Sequence, residues 1–220
     1  MPVKYKLTDQ EMRTYGGCQW TLDETKTASG DGELCGPGWL HYYDHPLLAV
    51  LLNPIHANIR NPRLFEAEAT GQIKDDMGLK GGCTRMVLTR ELSVPAVTTE
   101  QRVRFAMLCA MEVYENKQWV AWARTWLDRS NRTDLRSRAH PAAEAADMVW
   151  AVARAAQAAD AAVMAADAAA LVFKTAGAAG VADVASWAAE ATRAAAWAAA
   201  NEKRRPDLIA IAQTATLSKP

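Results

Sequence analysis

No net charge is left over between the chain's 25 Lys and Arg and its 25 Asp and Glu. No global field therefore draws it to duplex nucleic acid or to a membrane surface. It has no uninterrupted apolar run of about 18 residues, the length a spanning helix needs. Asp147, Arg154, Asp160, Asp167 and Lys174 break the longest candidate. Met1–Gln10 is charged and has no apolar centre, so no secretory leader is expected and the expected location is the cytoplasm. Cysteines are few (Cys18, Cys35, Cys83, Cys109), without a CxxC pair or metal-ligand spacing, which points to reduced thiols. His-Glu-x-x-His, GxxxxGK[ST], GxGxxG and GxSxG are all missing. Zincin, P-loop, dinucleotide and serine-hydrolase chemistry thus lack their signatures, and no metal or cofactor is expected.

What is present is concentrated. Gly32–Gly71 holds three of the four histidines (His41, His45, His56), four prolines, Trp39, Tyr42 and Tyr43. Charge is uneven too: residues 101–140 carry 8 basic and 4 acidic groups, whereas residues 1–100 carry 10 and 13. At 220 residues the chain can bury a real core. The expected class is α+β: a small β-rich domain (1–98) with one short buried helix, a connecting helix (99–127), then an Ala-rich helical hairpin or bundle (141–217).

In the first half, Val3–Leu7 alternates Val, Tyr and Leu with lysines, a half-buried strand signal. Cys18–Leu22 reads as a strand with Trp20 inward, and Thr25–Gly32 as a loop. Pro46–Leu52 reads as a helix capped by Asp44 or His45 and stopped by Pro54; its continuous leucines and valine predict burial all round. Leu64–Thr70 sets Phe65, Ala67 and Ala69 against Glu66 and Glu68, and Asp75-Asp76 falls in a loop. Cys83–Arg90 sets Met86 and Leu88 against Arg85, Val87 and Thr89. Pro95 places Leu92–Thr98 at an edge or outside the sheet.

Beyond that, Thr98-Thr99-Glu100-Gln101 is a helix start, a threonine cap followed by Glu and Gln in the first turn. Trp119, Trp122 and Trp126 recur at helical spacing, and Asp128–His140 is an arginine-rich connector. About half of residues 142–200 are alanine, which favours helices in close approach, with Trp150, Trp187 and Trp197 as knobs. Exposed alanine faces predict a homo-oligomer. Asp207–Leu217 reads as a last short helix.

The chemistry-bearing residues leave several readings open. His41 and His45 are four apart but do not share a regular helical face. Cys35 beside a histidine would be an activated thiol, yet no third orienting group stands out. Glu66 with Glu68 fits acid–base work less well than a solvated sheet face. Aromatics joined to cations remain: Trp39, Tyr42 and Tyr43 with His41, His56, Arg60 and Arg63, a combination that holds a base and a phosphate without catalysis.

The segment LCGPGWLHYYDHPLLAVLLNPIHANIRNPRLFEAEATGQI, followed by GLKGGCTRMVLTRELSVPAVTTEQRVRFAMLCAMEVY, resembles a family of uncharacterised phage and prophage proteins over residues 3–114. Leu34, Cys35, Gly38, Pro46, Leu47, Glu68 and Gly71 match its recurring positions. Trp39-Leu40 stands between Gly38 and His41 where many relatives have one residue. The resemblance implies a non-enzymatic accessory protein for host takeover or anti-defence, in the host cytoplasm. Such a protein would sequester a small anionic ligand such as a nucleotide signal, or a host protein. A nucleotide-processing enzyme with an ADP-ribosyltransferase-like fold and a structural phage protein assembled through its Ala-rich helices are the alternatives.

Overall fold

A computed structural model describes residues 2–113, 117–128 and 206–217. The chain divides into two compact units, Met1–Ala96 and Val97–Pro220.

The first unit is an antiparallel sheet that curls back on itself. Its strands are β1 (Lys4–Thr8), β2 (Arg13–Thr14), β3 (Cys18–Gln19), β4 (Thr25–Thr27), β5 (Leu40–Tyr42), β6 (Arg63–Asp76) and β7 (Lys80–Leu92), with helix α1 (Pro46–His56) between β5 and β6. β1 pairs with β6, β6 with β7, and β7 with both β4 and β5. The ring closes where Tyr5 and Tyr43 exchange two backbone hydrogen bonds of 2.9 and 2.8 Å. Closure covers the edges of β1 and β5 at that point, while β4, paired only with β7, keeps an open edge. The separate β2–β3 hairpin, turning through Tyr15–Gly17, delivers Trp20 to the interior.

Period-two alternation sorts side chains inside and out. Phe65, Ala67, Ala69, Met86 and Leu88 point inward with Tyr42, Cys83 and Trp20. Outward neighbours include polar pairs: Glu66 grips Arg90 at 3.1 and 2.6 Å, and Glu68 is exposed, while Leu64 is buried on the other face and Val87 half-buried. The inside–outside assignment expected for β6 and β7 therefore holds.

Several expectations need correction. Thr25–Thr27 is a strand on β7, not loop; two threonines suit a pleated edge, and the following glycines masked that signal. Pro54 does not stop α1, which continues to His56. Pro54 only withholds an N–H in the last turn, and Asn53 supplies the terminating contacts instead. Its carbonyl accepts from Ala57 and Asn58 at 3.1 and 2.7 Å, and its side chain bonds both backbone groups of Ile59 at 3.0 and 3.1 Å. Asp75 and Asp76 end a strand longer than expected, the turn being Met77–Leu79. In β1 the alternation is real but both sides are covered: Lys6 is inside, beside Trp20. The strand that should carry Trp20 is only Cys18–Gln19, although Trp20 is indeed buried. α1 is capped by His45, whose Nδ1 accepts from Leu47 N at 3.2 Å, and Leu48–Leu52 are all buried. It packs against β1.

The second unit contains α2 (Thr99–Val113), α3 (Lys117–Asp128) and, named here α4, Leu208–Thr216. Thr98 and Gln101 form a reciprocal capping box: Gln101 N donates to Thr98 Oγ1 at 3.2 Å and Thr98 N to Gln101 Oε1 at 2.8 Å. Asp207 caps α4 through Ala210 N at 3.0 Å. α4 lies on α2, with Gln101 Nε2 reaching Thr216 O at 2.9 Å. Replacing Thr98 with alanine should cost about 1 kcal/mol, seen as earlier urea unfolding of the helical signal; no shift would contradict the cap. The Ala-rich tract, Trp150, Trp187, Trp197 and Arg129–Arg138 lie outside the described residues, as does the basis for the homo-oligomer. Among the described residues no helix is long and apolar enough to cross a membrane.

Candidate functional site

β7 begins Lys80-Gly81-Gly82-Cys83, and both glycines are places where other parts of the chain descend onto the strand. A Cβ on Gly82 would sit 2.3 Å from Leu34 Cδ1 and 3.3 Å from Trp39 Cβ. Gly82 therefore seats a strap, residues 28–39, on the outer face of the β6–β7 hairpin. The strap is pinned by Gly30 N to Gly38 O (2.8 Å) and by Trp39 Nε1 to Gly32 O (3.2 Å). It is also pinned where His41 Nε2 donates to Leu34 O.

Register puts the polar groups under this strap in rows. Lys74, Gly82 and His41 are partners across three adjacent strands, and Lys80 is the partner of Asp76 one pair further on. Lys74 and Lys80 are thus diagonal neighbours on one face, a relation that places Cα atoms roughly 7–8 Å apart. Lys74 Nζ bonds Gly32 O at 2.9 Å and lies 4.6 Å from the Trp39 ring centroid. Lys80 Nζ lies 3.1 Å from Cys35 Sγ. Neither lysine makes an ion pair with a carboxylate among the described residues, although Asp76 is opposite Lys80. Burial lowers the His41 imidazole below its usual range, the Leu34 hydrogen bond opposing that fall and the charges of Lys6 and Lys80 adding to it. It works there as a hydrogen-bond donor rather than as a cation.

The other aromatic and cationic candidates are dispersed. Tyr42 points into the barrel, where burial pushes its phenol up to about 12. Lys4 stands 5.0 Å from its ring centroid and bonds Asp44 Oδ1 at 2.5 Å. Tyr43 is on the outer side, stacked on His56 with ring centroids 5.7 Å apart, its hydroxyl 3.1 Å from His56 Nδ1. That pair ties the end of α1 to the sheet. Arg60 is exposed in the loop after α1. Arg63 is taken up by Glu91, with two contacts at 2.7 and 2.6 Å. Arg63 begins β6 and Lys74 lies near its far end, roughly 35 Å of strand away. Of the residues expected to bind, the structure brings Trp39 and His41 together and leaves Tyr42, Tyr43, His56, Arg60 and Arg63 elsewhere. Cys35, one of the readings left open, has the Lys80 ammonium beside it. Lys74 and Lys80 were missed by sequence reasoning; only the paired glycines hinted that something covers this end. Among the described residues no group of three or more His, Cys, Asp or Glu could hold a metal.

Residues 3–100 match the model of a domain of unknown function, DUF7666. The match spans the barrel, its strap and α1, and supports placing this region in an uncharacterised family. No curated protein and no solved structure matches the chain.

Proposed function

We propose that the N-terminal unit is a binding module that grips a small anionic ligand, a nucleotide being the leading class, under the strap. The observation that carries this reading is the Lys74–Lys80 pair. Two ammonium groups on one face are held by a carbonyl oxygen and a thiol, both exchangeable for phosphate oxygens, and not by carboxylates. Charge-assisted contacts of that kind are the strong ones. Trp39, itself buried, packs beneath the Lys74 ammonium, and His41 keeps the strap in place. No nucleophile–base–orienter set accompanies these groups among the described residues, which favours sequestration over turnover. The resemblance to phage accessory proteins supplies the setting, in which removal of a nucleotide signal serves host takeover or anti-defence.

A thermal-shift screen of the full chain against linear and cyclic nucleotides tests this. At a hundredfold excess over the dissociation constant, a ligand should add about 2.7 kcal/mol to stability. Lys74→Ala should abolish most of that gain without lowering the melting temperature of the free protein by more than a degree or two. Recovery of the nucleotide unchanged after heat release separates binding from a nucleotide-processing enzyme. Stabilisation that survives Lys74→Ala would place the ligand elsewhere.

A further inference from the structure

We infer that Cys35 and Lys80 form a peroxide-sensitive covalent latch between the strap and β7. The grounds are geometric. Cys35 is the exposed cysteine among the four, whereas Cys83 and Cys109 are buried and Cys18 is half-buried. Its sulfur is 3.1 Å from the Lys80 nitrogen, already in van der Waals contact. Neither end is loose. The turn after Glu33 is closed by Gly36 N to Glu33 O at 2.8 Å, and the neighbouring Leu34 is fixed by His41 and seated on Gly82. Lys80 projects from a paired strand residue opposite Asp76. A thiol and an amine of different chain segments are thus held together.

The chemistry balances with a peroxide as oxidant. The Cys35 thiolate attacks the peroxide, breaking its O–O bond and giving a sulfenic acid and one water. The neutral amine of Lys80 then attacks the sulfenic sulfur. An S–N bond forms, the S–O bond breaks, and the departing hydroxide takes the amine proton and leaves as a second water. Overall one thiol, one amine and one peroxide give a sulfenamide cross-link and two waters; an external thiol reverses it. The link fixes the strap to the sheet and removes the positive charge of Lys80. Resting on the anion-binding reading, it would also switch that site off.

The test treats the full chain with hydrogen peroxide, digests it without reductant and maps linked peptides by mass spectrometry. The expected product joins the Cys35 and Lys80 peptides with loss of two hydrogens and disappears on reduction with dithiothreitol. Lys80→Arg should leave Cys35 oxidised but unlinked, and Cys35→Ser should give no linked product. Cys35 oxidised only to sulfenic or sulfinic acid in the wild type would overturn the latch, as would linkage that persists in Lys80→Arg. Nucleotide affinity of the linked protein is read separately. A loss of about tenfold or more, restored by dithiothreitol, extends the latch to regulation. A latch that forms in a protein with no nucleotide affinity leaves the cross-link standing and removes the binding reading instead.

Discussion

Gly81→Ala should destabilise the barrel by about 3 kcal/mol. An added Cβ would lie 2.3 Å from Tyr42 Cζ, 2.4 Å from Cε2 and 2.6 Å from the phenol oxygen. Those are ring atoms of a fully packed side chain, only 3% exposed, so the clash cannot be relieved by swinging a flexible end away. Tyr42 and Gly81 are also register partners, which means that moving one strand costs the β5–β7 pairing. That pairing delivers Tyr43 to Tyr5 and closes the ring. The expected readout is a fall in melting temperature of more than 10 °C, at about 4–8 °C per kcal/mol for a domain of this size. Tyr42→Leu in the same chain should relieve the clash, with a coupling of about 2 kcal/mol in a double-mutant cycle. A change below about 0.5 kcal/mol for Gly81→Ala would mean that the tyrosine is not seated on the glycine.

Lys6→Met should stabilise the protein at neutral pH and lose that advantage in alkali. The Lys6 ammonium sits inside the barrel, bonded to His41 O at 2.7 Å and 4.7 Å from the Trp20 ring centroid. Those contacts do not replace its hydration, and burial brings its pKa from 10.5 down to about 8. Cys18 and Cys83 oppose that fall without cancelling it. Below pH 8 both folded and unfolded forms are protonated, and folding carries the whole cost of the buried charge, about 3 kcal/mol. Between pH 8 and 10.5 the unfolded chain binds more protons than the native one, so stability from this group rises with pH. Other groups pull the opposite way. The Cys83 thiol and the Tyr42 and Tyr43 phenols are pushed up by burial, so they ionise more readily when unfolded and lower stability in alkali. The comparison with Lys6→Met cancels the two phenols, and making it in a Cys83→Ala background removes the thiol whose own ionisation is coupled to Lys6. Urea unfolding should show the variant's advantage shrinking by about 3 kcal/mol between neutral pH and pH 10.5. A difference that does not change with pH would show that Lys6 is hydrated.

These two positions mark the limits of what the sequence disclosed. Strand alternation in β6 and β7 was legible because Phe65, Ala67, Ala69, Met86 and Leu88 face one continuous interior. The Thr98–Gln101 cap and the Asp207 helix start were legible because capping is decided within four residues. The side of β1 that carries Lys6 was not. A lysine stem is long enough to lie along Trp20 while its nitrogen finds a carbonyl, so composition reports it as surface. The candidate site divided in the same way. Trp39 and His41 stood out as chemistry-bearing residues near tight turns. Lys74 and Lys80 acquired meaning only from register, which sets them diagonally across a hairpin, and from the strap that Gly82 admits. Arg63 looked available from its neighbours in sequence, but Glu91, its bidentate partner, is 28 residues away.

Nitrogen-labelled full-length protein titrated with a nucleoside diphosphate and followed by amide chemical shifts addresses the binding site directly. Saturable shifts should cluster at Gly32–His41, Lys74 and Gly82 and vanish in Lys74→Ala. Shifts centred on Arg60–Arg63, or shifts under the strap that persist without the Lys74 ammonium, would contradict an anion held between the strap and the hairpin.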